Sequence, residues 1–272
     1  MTENPLGQVS AYAKEYAPEL LFPIPRKTSR DALGITGILP FRGVDRWNAW
    51  ELSWLTPRGK PEVALGVIEF PASNPNLVES KSLKLYLNSL NGMRHASGAE
   101  VAALIRRDLE TASGGPVSVA LGAVDDRELI TPAALSGRCI DDTEVDIEQF
   151  EVDPDLLNDS PDPDEVVEDS VHSHLLRSNC PVTGQPDWAS VQIAYRGPRI
   201  DDAALLKYLV SFRNHDDYHE QCVERIFMDL QDRCSPEALT VQAFYTRRGG
   251  LDINPFRSNW QEPPRHGRLW RQ

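Results

Sequence analysis

Apolar and polar positions alternate along this chain in two different periods, and the same succession of periods occurs twice. In the first half, AWELSWL and EVALGVIEF either alternate or run apolar, as paired strands do. Pro71 and the turn-forming SNPN follow. ESKSLKLYLNSLN then takes up a helical period, Gly92 breaks it, SGAEVAALIRRDLE resumes it, and PVSVALGAV closes as a strand. In the second half, HSHLLRSN and WASVQIAYRG read as strands, the latter ending at Pro198. DDAALLKYLVSFRN and YHEQCVERIFMDLQD read as helices, and LTVQAFYTRRGGLDI as a closing strand pair. An offset of 122 residues aligns Tyr86 with Tyr208, Leu87 with Leu209, Ser89 with Ser211, Val101 with Val223, and Leu104 with Ile226. The matching order of elements makes internal duplication the reading to test. Val223, Ile226, Phe227 and Leu230 form one helical stripe. Each helix pair is therefore expected to cover one face of an antiparallel sheet, in an α+β fold.

Charge divides the chain between the repeats. The 272 residues carry a formal charge of −13, but fourteen Asp and Glu residues and no Lys or Arg fall between Asp141 and Asp169; without that stretch the charge is +1. The Pro- and Asp-rich DPDLLNDSPDPDEVVED reads as a solvated linker. The expected organisation is an N-terminal module over 1–150, an acidic linker over 151–169, and a C-terminal module over 170–272. No basic patch argues for nucleic acid, and the tail PPRHGRLWRQ reads as a docked terminus. No apolar run approaches membrane-spanning length and the N-terminus lacks a secretory signal, so a cytoplasmic protein is expected. Four cysteines without a CxxC pair suit reduced thiols rather than disulfides or a structural zinc site, and no metal is expected.

Cys180, in RSNCPVTGQPDWAS, sits in a turn between two strands, where an accessible thiol can be an idle surface group or a nucleophile. Asp187 follows between Pro186 and Trp188, and a carboxylate desolvated by that ring would carry a proton at neutral pH. Cys222 and Cys234 read as small buried hydrophobes; Cys139 receives no role. His219 and Glu220 open a helix, as a capping pair or as site residues at its edge. His219 and Cys222 share a helical face, so together with Cys180 they are also a possible zinc set for a hydrolase. Lys81 at the start of a helix is either a solvated charge or, with free backbone N–H groups, a phosphate site. Arg247-Arg248-Gly249-Gly250 is either a hairpin turn or an arginine clamp on phosphate. No GxGxxG follows a strand, so a nicotinamide cofactor would not sit on a Rossmann domain.

Glu79 to Asn91, ESKSLKLYLNSLN, resembles the signature of the NADPH-dependent 7-cyano-7-deazaguanine reductases of queuosine biosynthesis. SNCPVTGQPDW, Ser178 to Trp188, resembles their nucleophile segment, and YHE, Tyr218 to Glu220, their substrate-binding helix start. The three occur in the order of the long, two-module form. The resemblance implies two tandem tunnelling-fold (T-fold) modules, a homodimer, NADPH as cofactor, and a small deazapurine nitrile as substrate. It assigns Cys180 as nucleophile, Asp187 as proton donor and His219 as a further catalytic residue. Val78, Glu79, Ser80, His219 and Glu220 would line the substrate site, with Tyr218 offering a ring face. Ser80, Lys81, Arg248 and Gly249 would contact NADPH. Arg177 and His219 are the candidates for activating Cys180. A catalytically silent assembly module, with the repeat serving only oligomerisation, is the other alternative beside the zinc hydrolase.

Overall fold

The computed structural model describes residues 13–127, 131–158, 161–263 and 268–272. Both halves contribute to one continuous sheet. From the first come β2 (Arg42–Leu55), β3 (Pro61–Pro71) and β5 (Ser118–Gly122). From the second come β6 (Arg138–Cys139), β7 (Pro161–Ser173), β9 (Pro186–Ile200), β10 (Ala238–Tyr245) and β11 (Leu251–Ser258). The order is β5-β3-β2-β11-β10-β9-β7-β6, with the short β8 (Arg177–Asn179) paired to the start of β9. Every pairing is antiparallel except β6 with β7. The seam between the halves is β2 against β11, from Leu251 opposite Ala49 to Ser258 opposite Arg42. A separate ribbon pairs β1 (Pro23–Pro25) with β4 (Asn76–Val78).

Two helix pairs lie on the sheet as the periodicity predicts. Leu83, Tyr86 and Leu87 of α2 (Ser80–Ser89) and Leu90 at its C-cap, with Val101, Ile105 and Leu109 of α3 (Gly98–Ser113), pack on Trp47, Ala49, Leu52 and Trp54 of β2. Along β2 the buried positions keep period two through Asp45, Trp47 and Ala49, then slip by one residue at a bulge and resume at Leu52 and Trp54. The second core sets α4 (Asp202–Ser211) and α5 (His219–Cys234) on β9 and β10. The short α1 (Arg26–Ala32), which the pattern did not single out, packs where the two halves meet.

The repeat carries over into matching hydrogen bonds. Tyr86 Oη donates to Asp108 and Tyr208 Oη to Asp229, both at 2.7 Å. Ser89 Oγ donates to the Tyr86 carbonyl and Ser211 Oγ to that of Tyr208, both at 2.6 Å. The offset is not constant, however. α2 and α4 stand 122 residues apart but α3 and α5 stand 121 apart, because the turn before α5 is one residue shorter. Val101 therefore corresponds to Cys222 rather than to Val223.

The acidic stretch is not a free linker. Its second part is β7, paired with β9 from Pro161 opposite Ile200 to Ser173 opposite Val191. Pairing uses only the backbone, and the carboxylates of its outer end stay in water. Exposed Arg199 and Arg138 meet Glu165 and Asp169 there. β9 also runs past Pro198, which pairs with Val166 at the irregular end of the ladder. The final residues are docked: Gln272 Nε2 donates to the Tyr245 carbonyl at 3.0 Å and to Asn254 Oδ1 at 2.6 Å. Among the described residues no helix is long and apolar enough to cross a membrane.

Candidate active site

A pocket of about 370 Å³ opens where the two halves meet. The first half supplies Trp47 from β2 and the run Leu77–Ser80 at the junction of β4 and α2. The second supplies Cys180, Asp187, the run Asp217–Glu220, Arg248 and Ile253. Of the residues singled out in the sequence, Val78, Glu79, Ser80, Cys180, Asp187, His219, Glu220 and Arg248 all line it, as does Tyr218. Lys81 and Gly249 do not; Gly249 lines a neighbouring cleft with Lys84.

Cys180 is 4% exposed, so the accessible turn expected around it is corrected. Its loop is pinned on both sides. Cys180 N–H donates to the Gln185 carbonyl and Gly184 N–H returns to the Cys180 carbonyl, each at 2.9 Å. Asn179 N–H donates to the His215 carbonyl at 2.8 Å, and Asp217 N–H to that of Asn179 at 3.1 Å. These bonds tie the Cys180 loop to the entry of α5 and turn the cysteine inward. Arg177, one candidate for activating it, is held on Asn179 Oδ1 at 3.0 Å and over the Trp188 ring. His219, the other, shares the pocket.

Asp187 is buried, but not by Trp188. Successive strand residues point to opposite faces, and Trp188 lies under Arg177, Arg213 and Arg271. Asp187 instead meets two cationic or protonatable groups, Arg248 Nη1 at 2.9 Å on Oδ1 and His219 Nε2 at 3.2 Å on Oδ2. The His219 ring stacks on Tyr245, with centroids 3.7 Å apart and planes within 9°. Its Nδ1 is buried without a partner, as is Trp47 Nε1.

Glu79 is the N-cap of α2: one carboxylate oxygen accepts from Lys81 N–H at 2.8 Å, the other from Ser82 N–H at 2.7 Å. Those N–H groups were expected to be free for phosphate; they are occupied, so any anion at Lys81 would rely on the side chain. Burial pushes the Glu79 carboxyl up against these bonds. Glu220, 3% exposed, is pushed up to about 8 by burial and then by Asp45. Behind it Asp45, Glu224, Arg26, Arg30 and Arg257 form a buried ion network, with Arg257 bridging Asp45 at 2.7 Å and Glu224 at 2.8 Å.

Cys222 and Cys234 are fully buried, as expected. Among the described residues, Cys180, His219 and Cys222 do not bring three ligand atoms together, so the zinc-hydrolase set finds no support; the one group that does is Cys139, His172 and His174. Trp47, Leu77, Asp217 and Ile253 escaped the sequence reading. Nothing local marks them, since strand register alone turns Trp47 and Ile253 toward the pocket.

Two family models match the chain. The nitrile reductase, 7-cyano-7-deazaguanine-reductase N-terminal model covers residues 12–121, and the QueF-like protein model covers 186–264. Cys180 lies just ahead of the second. The NADPH-dependent 7-cyano-7-deazaguanine reductase of Azoarcus sp. (strain BH72) is 56% identical over 94% of this chain and 90% of its own length. That of Burkholderia orbicola (strain MC0-3) is 52% identical over 99% and 98%. The solved apo form of the archaeosine synthase QueF-Like aligns with 36% of this chain and 96% of its own at 18% identity and a TM-score of 0.31, too distant a likeness to bear on the site. Near-complete relatives that share more than half their residues, with a pocket built where the recognised segments converge, show that the chain belongs to the NADPH-dependent 7-cyano-7-deazaguanine reductase family.

Proposed function

We propose that the chain reduces the nitrile of 7-cyano-7-deazaguanine to the aminomethyl group through a thioimide on Cys180. The observation that carries this is the convergence of Cys180, the Asp187–His219 pair and the two buried carboxyl groups Glu79 and Glu220 in one pocket. Cys180 Sγ forms a bond to the nitrile carbon while its proton, routed through the His219–Asp187 pair, ends on the nitrile nitrogen. The thioimide so formed accepts hydride more readily than the nitrile does. NADPH, when bound, supplies hydride twice, four electrons in all. Between the two additions the C–S bond breaks, Cys180 leaves as thiolate, and an imine remains enclosed away from water. One further proton completes the amine and a second restores the Cys180 thiol, and the same pair is positioned to relay them.

Glu220 and Glu79 suit the guanine-like edge. A carboxylate there accepts from a ring N–H and an exocyclic amine together, and Tyr218 adds an aromatic face. The buried, unpartnered Trp47 Nε1 and His219 Nδ1 belong to residues that line the same pocket. For the cofactor, the Arg247–Gly250 hairpin lies directly on α2: a Cβ on Gly249 would come within 3.0 Å of Lys84 Nζ. Lys81, Lys84 and this hairpin, with Ser80 beside them, fit an anionic cofactor. Arg248 spans both sites through its pair with Asp187.

The T-fold reading is supported by two helix pairs on one sheet, each over its own core. A homodimer is carried from the family resemblance. A docked tail and a charge of +1 outside the acidic stretch speak for a small-molecule enzyme rather than a nucleic-acid binder. A free-thiol nucleophile suits the reducing cytoplasm.

Withholding NADPH tests the mechanism. Intact-protein mass spectrometry of the chain with the nitrile is expected to show one substrate mass per chain on Cys180, discharged as amine when NADPH is added. Cys180→Ala is expected to show neither adduct nor turnover. An active Cys180→Ala enzyme, or an adduct on another cysteine, overturns the assignment.

A further inference from the structure

We propose that Cys139, His172 and His174, none of which lines the pocket described above, form a binding site for a single zinc ion. One ligand atom from each lies within 4.8 Å of the other two. The topology brings them together from separate segments: Cys139 of β6 sits opposite His172 of β7, and His174 follows two residues on. Val171 and Ser173, which flank His172, are buried, and Val171 belongs to the core under the helices. His172 therefore points to the face of the sheet away from them.

Each histidine already has the outer partner that a metal ligand needs. His172 Nδ1 lies 3.3 Å from the Ser136 carbonyl, and His174 Nδ1 lies 2.7 Å from Ser190 Oγ. An Nδ1–H donated outward fixes the tautomer and leaves the Nε2 lone pair to bind. His174 is held further by its backbone N–H, which donates to both oxygens of Asp141 at 3.2 and 3.0 Å. The neighbouring cation, Arg138, is already paired with Asp169 and Asp202.

Two imidazoles and a thiolate are a zinc donor set, with a fourth tetrahedral position left for water. Zinc–ligand bonds of about 2.0–2.3 Å would set the three atoms about 3.3–3.6 Å apart, so side-chain rotations of about an ångström close the site. The bound ion would clip β6 to the end of β7, where the chain turns into β8 and on to Cys180.

Cobalt(II), a spectroscopic stand-in for zinc, tests this on the full-length chain without an affinity tag and stripped by chelator. One equivalent per chain is expected to give tetrahedral visible bands and a near-ultraviolet thiolate-to-cobalt band, both removed by added zinc. Cys139→Ser should abolish the thiolate band, and His172→Ala should weaken binding at least tenfold. Cys180→Ala should bind as the wild type does. The proposal falls if stoichiometric cobalt gives no thiolate band. It falls equally if the band survives Cys139→Ser or disappears in Cys180→Ala, which would put the ion in the reductase pocket. Circular dichroism of each variant confirms that a lost band is not a lost fold.

Discussion

Asp187 touches His219 at one oxygen and Arg248 at the other, and in the proposed mechanism the proton needed at the nitrile nitrogen passes through this pair. Asp187→Asn keeps the shape but removes the charge that orients His219. Turnover is expected to fall by roughly two to four orders of magnitude, as for loss of a general acid, with circular dichroism unchanged. Wild-type turnover in the folded variant would remove Asp187 from the relay. Glu220 makes a prediction of a different kind. Its carboxyl is pushed up to about 8, so the free enzyme holds a proton there at neutral pH. The guanine-like edge offers N–H donors, which favour the carboxylate. Binding should therefore release a proton below pH 8, and affinity for the nitrile should rise with pH, levelling off near 8. Calorimetry in buffers of different ionisation heat measures that release, and Glu220→Gln should abolish it.

At the scale of elements, the helices were legible because each of them, ten or sixteen residues long, buries one stripe, and the motif residues of the second half marked most of their side of the pocket. The pattern could not show β7, because an edge-side strand with its carboxylates in water has no apolar alternation to read. Nor could it show that the Cys180 loop turns inward, since that depends on bonds from Asn179 to His215 and Asp217, thirty-odd residues away. The Arg247–Gly250 hairpin was visible as a turn, but its seat on α2 was not. Gly249 has φ +62, and a Cβ there would meet Lys84 Cδ at 2.9 Å. Gly249→Ala should cost about 1–3 kcal/mol of backbone strain and lift the hairpin from Lys84. Steady-state kinetics should show a several-fold higher KM for NADPH with little change in that for the nitrile. Equal shifts in both would separate the hairpin from the cofactor.

The whole molecule is held at its seam by charges that no local pattern announces. Arg26 and Arg30 of α1, Asp45 of β2, Glu224 of α5 and Arg257 of β11 form one buried network across both halves. Burial, the largest single influence, would raise the carboxyl groups of Asp45 and Glu224, but the arginines together outweigh it, Arg257 first, then Arg26 at Asp45 and Arg30 and Arg26 at Glu224, and both are held down. The unfolded chain therefore binds more protons than the folded one as pH falls through the carboxylate range, and stability from this network is lost on acidification. Glu220 acts in the opposite sense. Between its unfolded value and about 8 the folded state keeps a proton that the unfolded state has shed, so stability declines as pH rises across that window. Asp45→Asn leaves Arg26 and Arg257 short of a counter-charge in a water-free site. Removing one partner of a buried pair typically costs about 3–5 kcal/mol. Because the network joins the halves, that loss should lower the midpoint of the whole chain's unfolding rather than split off one half. Urea denaturation followed at pH values from acid to alkaline, by fluorescence and circular dichroism together, measures both effects. The acid-side slope should shrink in Asp45→Asn, and the decline toward pH 8 should disappear in Glu220→Gln. An Asp45→Asn protein as stable as the wild type would show that the seam is held by β2 and β11 alone.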